Sequence, residues 1–353
     1  MRRTITLSTL LLTLTAAILS GCGQSVTPKA SVAAAAGPPR SAQPTGATGR
    51  LFSPESIWNR RVASAATVDP ASTEIVHTLL DEVSEEERAN TGPWINTTSY
   101  GVPIVTVPAD EPTVRVALHH APDAALSAAW SAVPLPPSAQ PAAGSDGYMV
   151  VWQPSTDRMW EFWRLVHEGD GWSASWGGAM RDVSKSSGVF GPGAWPGAKP
   201  WWGASASSLP LAAGAMTISD LRSGRIDHAL SIAVPDVRAG VLAAPAQRTD
   251  GNSDAPGSLP EGAHLRLDPH LDLRSLHLRP LVYEMALAAQ RYGIVVRDFA
   301  GNIAFFGQDP STIRGEPYKG EGGFYEGMTP AELLASFPWS HLQVLKMHLE
   351  PNP

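Results

Sequence analysis

Carboxyl groups among aromatic residues are the strongest chemical feature of this chain. Glu161 lies in the run Trp160-Glu161-Phe162-Trp163, whereas Asp146 and Asp227 stand at or near the starts of predicted strands. Cleavage of a glycosidic bond by the usual route needs two carboxyl groups, one as the acid and one as the base or nucleophile. Aromatic neighbours that exclude water raise a carboxyl pKa, as a general acid requires. We therefore expect Glu161 to act with Asp146 or Asp227, although Asp146 could instead be a structural turn residue.

His228 indicates a different reaction on the same kind of substrate. It begins an otherwise apolar strand face, and an imidazole can remove the proton α to a uronate carboxylate. Tyr148, Gln247 and Arg248 are the residues that we expect to assist such an elimination. A core histidine bonded to the backbone is the structural alternative. Hydrolysis and elimination therefore both stay open.

Tryptophan is concentrated in the middle of the chain. Eight of the 12 tryptophans lie between Trp152 and Trp202. Flat aromatic faces that stay exposed are typical of ligand grooves, whereas any single tryptophan could equally be buried in a core. We expect Trp163, beside Glu161, and the loop residues Trp195, Trp201 and Trp202 to contact sugar rings.

A polar segment after residue 249 has the oxygen spacing of a calcium loop. Asp250, Asn252 and Asp254 alternate, and Glu261 stands at the twelfth position. Ala255 occupies the position where the sharp turn favours glycine, and no predicted helices flank the segment. A calcium site and a solvated polar loop are the two interpretations, and no other cofactor is indicated.

Residues 144–182 are the scaffold that would position most of these groups. Two apolar runs, 148–152 and 159–165, are separated by the turn-forming Gln-Pro-Ser-Thr-Asp, and residues 172–176 offer a third strand. This pattern predicts an antiparallel meander. Strand alternation places Glu161 and Trp163 on the same face.

The rest of the chain shows many short strand patterns and few helices. Strands are predicted at 226–234, 294–298 and 303–306, and helices at 69–83, 280–292 and 331–337. Long glycine- and proline-rich connections argue against a βαβ repeat. We expect a mainly antiparallel β-sandwich of jelly-roll type with a few peripheral helices.

The first 22 residues resemble a bacterial lipoprotein signal. Two arginines precede an apolar stretch at 7–19, and Leu19-Ser-Gly-Cys22 has the form of a lipobox. The resemblance implies export, cleavage before Cys22 and a lipid on its sulfur that anchors the chain to the membrane, outside the cytoplasm. An ordinary secretory signal is the alternative. Since Cys22 is the only cysteine, the chain cannot form an internal disulfide.

Composition divides the remaining chain in two. Residues 23–50 contain almost no large apolar side chains, which predicts a disordered tether, and residues 51–353 are expected to form one globular β-rich domain. A net charge of -7 with 17% charged residues gives no basic stripe, so nucleic acid is not an expected partner.

Several sequence blocks together resemble an uncharacterised family of exported bacterial proteins. The blocks are GSDGY at 144–148, WEFW at 160–163, GRIDHAL at 224–230 and RYGIVVRD at 291–298. The resemblance implies export and a role on polysaccharide, and it assigns no catalytic residue. The relatives have histidine where this chain has Tyr148. We therefore expect a carbohydrate-active lipoprotein, a glycosidase or a lyase, with a non-catalytic glycan-binding or structural envelope protein as the alternative.

Overall fold

Short strands form most of the regular structure. A computed structural model describes residues 51–169 and 171–353; the predicted signal, Cys22 and the tether lie outside the described residues. The strands, in chain order, are β1 (Trp94–Asn96), β2 (Ile104–Thr106), β3 (Val116–Leu118), β4 (Met149–Gln153), β5 (Arg158–Trp163), β6 (Val166–Glu168), β7 (Gly171–Ala174), β8 (Trp176–Arg181), β9 (Leu230–Val234), β10 (Val241–Ala243), β11 (His264–Leu267), β12 (Ile294–Phe299), β13 (Ala304–Phe306), β14 (Leu342–Val344) and β15 (Leu349–Pro351).

The helices are few, and most are short. The α-helices are α1 (Ser72–Ala89), α2 (Ala124–Ala129), α3 (Ile218–Ser223), α4 (Pro280–Arg291) and α5 (Pro330–Leu334). Single 3₁₀ turns occur at Pro154–Thr156, Val183–Lys185, Leu273–Leu276, Pro310–Thr312 and Trp339–His341. Helix α5 begins with a capping box, in which Thr329 and Glu332 each bond the backbone N–H of the other. Over the described ranges, no helix has the length and apolar character needed to cross a membrane.

A six-stranded sheet, in the order β1-β13-β9-β12-β11-β14, separates two hydrophobic cores. Ile294 and Val296 of β12 pack into one core together with residues of α1, α4 and α5, which we call the helix core. Val295 points into the other core, which we call the meander core because it contains the inward residues of β4, β5 and β8. Because both faces of β12 are buried, its first three residues form an apolar run rather than an alternating pattern.

The predicted meander is confirmed in its first hairpin. β4 and β5 pair antiparallel, with Val150 opposite Glu161, and Asp157 closes the turn with a φ of 53°. β8 continues the four-stranded sheet β2-β4-β5-β8, and β7 belongs to a separate three-stranded sheet, β3-β7-β6. β5 ends at Trp163, earlier than predicted, because Arg164 adopts a φ of 53° that an extended strand cannot contain.

The mainly β fold is confirmed, but the expectation of mainly antiparallel sheets needs correction. Four strand pairs in the described ranges are parallel: β1 with β13, β2 with β4, β3 with β7 and β9 with β12. The sheets are therefore mixed, and a jelly-roll sandwich is not confirmed. Long connections between the paired strands permit the parallel arrangement, which a tight hairpin cannot make.

A bulge in β12 changes which way the end of that strand points. Val296 pairs with Ile232 of β9, but the next pair joins Asp298 to Ala233, so Arg297 is an extra residue in the ladder. Ala233 faces the meander core, and Asp298 is therefore turned toward that side instead of toward the helix core. Bulges commonly redirect a side chain beside a functional site.

Candidate functional site

Two neighbouring cavities meet at a shared group of residues, which we call the junction: Asp146, Tyr148, Asp298 and Phe299. The large cavity has a volume of about 820 Å³, and the small cavity has a volume of about 390 Å³. Ligand pockets in proteins usually measure roughly 300–1,000 Å³. Each cavity alone is therefore of ligand size, and the junction faces both.

The turn before β4 positions Asp146 and Tyr148. The Arg164 N–H donates to the Asp146 carbonyl, and the Leu165 N–H donates to the Gly147 carbonyl, at 2.6 and 3.1 Å. Gly147 has a φ of 45°, which glycine adopts without steric cost. The Trp163 indole also donates to the Asp146 carboxylate at 3.2 Å. The end of β5 thus holds the turn and orients the Asp146 side chain.

Asp298 reaches the junction from the bulge of β12. The Tyr148 hydroxyl donates to one Asp298 oxygen at 3.1 Å, and the Ala206 N–H donates to the other at 3.3 Å. Burial raises the pKa of Asp298 to about 7 despite the opposing charge of Arg297, and the nearby Asp250 and Asp146 carboxylates act in the same direction as burial. Near neutral pH this carboxyl group can therefore both hold and release a proton.

Tyr148 is a proton donor in this arrangement. Its side chain is 5% exposed. Burial raises the pKa of Tyr148 well above its ordinary value, and the negative charges of Asp298 and Asp146 raise it further. The phenol therefore stays protonated at neutral pH and can donate to a carboxylate or a ligand oxygen.

The small cavity adds cationic and aromatic groups. Arg248 donates to the carbonyl oxygens of Gly203 and Ser205 at 3.0 and 2.6 Å, which fixes its guanidinium group in the wall. Trp163 and the exposed His120 also line this cavity, with their ring centroids 6.2 Å apart. The walls thus combine hydrogen-bond donors with flat apolar faces, as polar ligands with apolar surfaces require.

Glu161, the carboxyl group most favoured by the sequence, lies outside both cavities. Its side chain is fully buried, and its two oxygens accept the N–H groups of Ala204 and Leu211 at 2.7 and 2.8 Å. Burial raises the pKa of Glu161 to about 7, while these N–H groups and Arg297 lower it. The predicted loss of solvent contact is present, but the carboxyl group anchors a loop to β5 instead of facing either cavity.

Asp227 and His228 also lie away from the cavities. β9 begins only at Leu230, so both residues precede the strand in which they were predicted. Asp227 pairs with Arg225 on the surface at 2.5 Å. The ring nitrogens of His228 lie 2.8 Å from the Ala229 carbonyl oxygen and 3.2 Å from an Asp220 oxygen. The structure therefore does not bring either residue to Asp146.

The tryptophans of the predicted loop lie away from the two cavities. Trp202 is fully buried, and its indole donates to Asp123 at 3.1 Å. Trp195 packs on Trp160 with ring centroids 5.9 Å apart, and only Trp201 is well exposed, at 46%. None of these three lines the large or the small cavity. Gln247, which was predicted to assist His228, donates its amide to the Phe190 carbonyl and also lies outside both cavities.

The segment predicted to bind calcium is spread over different environments. Asp250 lines the small cavity, Asn252 and Asp254 are exposed, and Glu261 is fully buried. Burial raises the pKa of Glu261 to about 9, and the charge of Asp298 adds to that effect. Among the described residues, no group of three or more His, Cys, Asp or Glu side chains is arranged to hold a metal ion. The calcium site stays a prediction.

Sequence reasoning missed Asp298, His120 and Phe299. Asp298 did carry a signal, because Arg297 and Asp298 continue the apolar run that begins at Ile294. Charged residues are almost never fully buried unless they are paired, so two of them within a buried strand mark a candidate site. His120 and Phe299 had no comparable pattern.

Comparisons of the chain with models of known families, with curated proteins and with solved structures give no match. The resemblance to an exported bacterial family stays a prediction.

Proposed function

We propose that this chain is an exported glycoside hydrolase that cleaves a polysaccharide at the junction. The observation that carries the proposal is a pair of carboxyl groups in unlike environments. Asp298 is buried with a pKa of about 7, whereas Asp146 is partly exposed and bonded to an indole N–H. Two carboxyl groups whose surroundings differ in this way can divide the acid and base roles.

The roles follow from these surroundings. Asp298 transfers its proton to the glycosidic oxygen as the bond between that oxygen and the anomeric carbon breaks. Asp146 either bonds to the anomeric carbon itself or takes a proton from the water that does so. Tyr148 donates to Asp298 at 3.1 Å, and this bond stabilises the carboxylate that the proton transfer leaves.

Elimination is the second candidate, and Arg248 is the observation that favours it. A guanidinium group in the small cavity could bind the carboxylate of a uronate. The reaction also needs a base, and Tyr148 is poorly suited because burial raises its pKa well above the ordinary value. His228 does not line the cavities. Hydrolysis therefore fits these groups better than elimination does.

The cellular setting rests on the sequence. The apolar segment at 7–19 and the lipobox ending at Cys22 support a lipid-anchored protein outside the cytoplasm. Such a protein meets polysaccharides of the envelope or the surroundings. A non-catalytic glycan-binding protein would need the aromatic walls but not a pair of carboxyl groups in unlike environments at their centre.

Turnover by the full exported chain tests this proposal. A polysaccharide panel is assayed for new reducing ends and for near-ultraviolet absorbance, which only elimination produces. We expect Asp298→Asn and Asp146→Asn each to lower kcat by about 10²-fold or more, because each removes an acid–base group. Asp227→Asn is the matched control, since this carboxyl group lies outside both cavities.

The outcomes separate the alternatives. Products that absorb in the near ultraviolet would show that the reaction is elimination and not hydrolysis. Retention of a polysaccharide without any turnover would make the chain a binding protein. If Asp227→Asn lost activity while both junction variants kept it, the site would be elsewhere. Thermal melting of each variant identifies any loss of activity that is caused by unfolding.

A further inference from the structure

The junction lies between two cavities instead of at the closed end of one. Its four residues belong to the walls of both the large and the small cavity. A reacting bond held beside Asp146 and Asp298 would therefore have room for a ligand on each side. An enzyme that removes units from a chain end needs such room on one side only.

The large cavity offers aromatic faces next to the junction. Tyr100 and Phe299 are each 39% exposed although they are large apolar side chains, and Trp94 lines the same cavity. Exposed aromatic groups within a cavity mark a ligand surface more strongly than isolated ones on a convex surface do. Polar groups of Asn96 and Asn302 also line this cavity, so a polar ligand would find hydrogen-bond partners there.

Tyr100 is held firmly beside the turn that positions Asp146. Its N–H donates to the Ala143 carbonyl at 2.8 Å. A Cβ atom on Gly144 would come within 2.8 Å of the Tyr100 ring, so the ring packs directly on the backbone of that turn. The aromatic face and the carboxyl group are therefore fixed relative to each other, as adjacent binding positions on one ligand must be.

We infer that the substrate is a long glycan that occupies both cavities and is cut at an internal bond. This inference rests on the proposed hydrolysis at the junction. The large cavity binds the units on one side of the bond through Tyr100 and Phe299. The small cavity binds those on the other side through Trp163 and Arg248. Short substrates that fill only one cavity bind more weakly, because they lose half of these contacts.

Product size from the full chain tests the inference directly. Early products from a long substrate should be oligosaccharides of many sizes, and viscosity should fall steeply for each new reducing end. Tyr100→Asn should raise KM on the long substrate roughly 3- to 10-fold, because aromatic contacts contribute on that scale. KM on a short substrate that fills only the small cavity should stay constant. Asn is chosen because Tyr100 has a φ of 59°, which Asn tolerates.

Two further variants sharpen the test. Tyr100→Phe keeps the ring and should keep KM. Trp201→Ala removes an aromatic group that is 46% exposed but outside both cavities, and it should leave KM unchanged. Release of only mono- or disaccharides from chain ends would overturn the inference and leave hydrolysis standing. An equal rise of KM on long and short substrates in Tyr100→Asn would overturn it too. Absence of any hydrolysis, by contrast, would overturn the proposed function and the inference together.

Discussion

At the scale of single residues, Asp298 is governed by two opposing effects. Burial disfavours its charged form, whereas the Arg297 guanidinium and the Ala206 N–H favour it, and the Tyr148 hydroxyl also donates a hydrogen bond to it. The effect of burial is larger, and the pKa rises to about 7. An acid with this pKa is half protonated near neutral pH, where it can donate and recover a proton in each cycle.

This balance predicts the pH dependence of turnover. The acid must be protonated to act, so kcat/KM should fall above about pH 7, by about tenfold per unit once the group is ionised. Tyr148→Phe removes a donor that stabilises the carboxylate, so it should raise the pKa of Asp298 and move the fall to higher pH. The pH profiles of both proteins provide the measurement. A fall at the same pH in both would show that another group limits the rate.

The sequence predicted part of this site. Asp146, Tyr148, Trp163 and Arg248 were all candidates, and all four line the small cavity. Asp146, Tyr148 and Trp163 could be named because the turn residues around Gly144 and the aromatic residues of β5 are signals that lie close together in the sequence. Asp298 could not be assigned in the same way, because its direction depends on the extra residue in β12, and strand alternation assumes a regular ladder.

At the scale of elements, Glu161 joins β5 to the loop that follows Trp202. This loop supplies the Ala206 N–H to Asp298 and the carbonyl oxygens that hold Arg248. The two N–H groups bound by Glu161, on Ala204 and Leu211, lie at either end of that stretch. Glu161 therefore affects the site through the position of the loop.

Glu161→Gln should destabilise the protein more than it harms the chemistry. The amide keeps one acceptor but places an NH₂ group against the other buried N–H, which costs about 1–3 kcal/mol. Urea unfolding measures this loss, and Glu168→Gln on the exposed strand β6 is the control that should show none. Unchanged stability with abolished turnover would instead return Glu161 to the catalytic pair.

The tryptophan loop shows what composition alone cannot predict. Glycine and proline correctly predicted irregular backbone around Trp195, Trp201 and Trp202, but not which of these tryptophans stay exposed. Trp202 is buried because the loop folds back over the meander core, and its indole finds Asp123 from a distant segment. Contacts between residues so far apart in the chain leave no local pattern.

At the scale of the whole molecule, five buried or half-buried carboxyl groups have pKa values raised to about 7 or higher. Burial raises the pKa of each of them above its ordinary range, to about 8 for Glu82, about 7 for Glu86, Glu161 and Asp298, and about 9 for Glu261. The folded protein therefore binds more protons than the unfolded chain does, at every pH between roughly 4.5 and these values.

The free energy of unfolding should consequently fall as pH rises. Stability from these neutral carboxyl groups is fully present below their unfolded pKa values, near 4.5, and is lost progressively as pH rises through the folded pKa values of about 7 to about 9. Urea unfolding at about pH 5, 7 and 9 measures how the free energy of unfolding changes with pH. Glu261→Gln removes one titrating group and should flatten the curve at its alkaline end. Stability that rises over this range would contradict the prediction.

The overall architecture was predictable only in its class. Short β-branched runs between turn residues correctly predicted a mainly β protein, since those signals act within a few residues. The order of the strands within each sheet was not predictable from the sequence. β9 lies between β12 and β13, and β2 lies beside β4 in parallel, because packing against two cores decides the order.

The extra residue in β12 also separates the part of the strand that fills the cores from the part that lines the cavities. Ile294, Val295 and Val296 fill the two cores, so a substitution there lowers the stability of the whole fold. Asp298 and Phe299, beyond the bulge, face the cavities and contribute little to either core. A change at Phe299 would therefore alter the lining of both cavities while Ile294, Val295 and Val296 keep the fold.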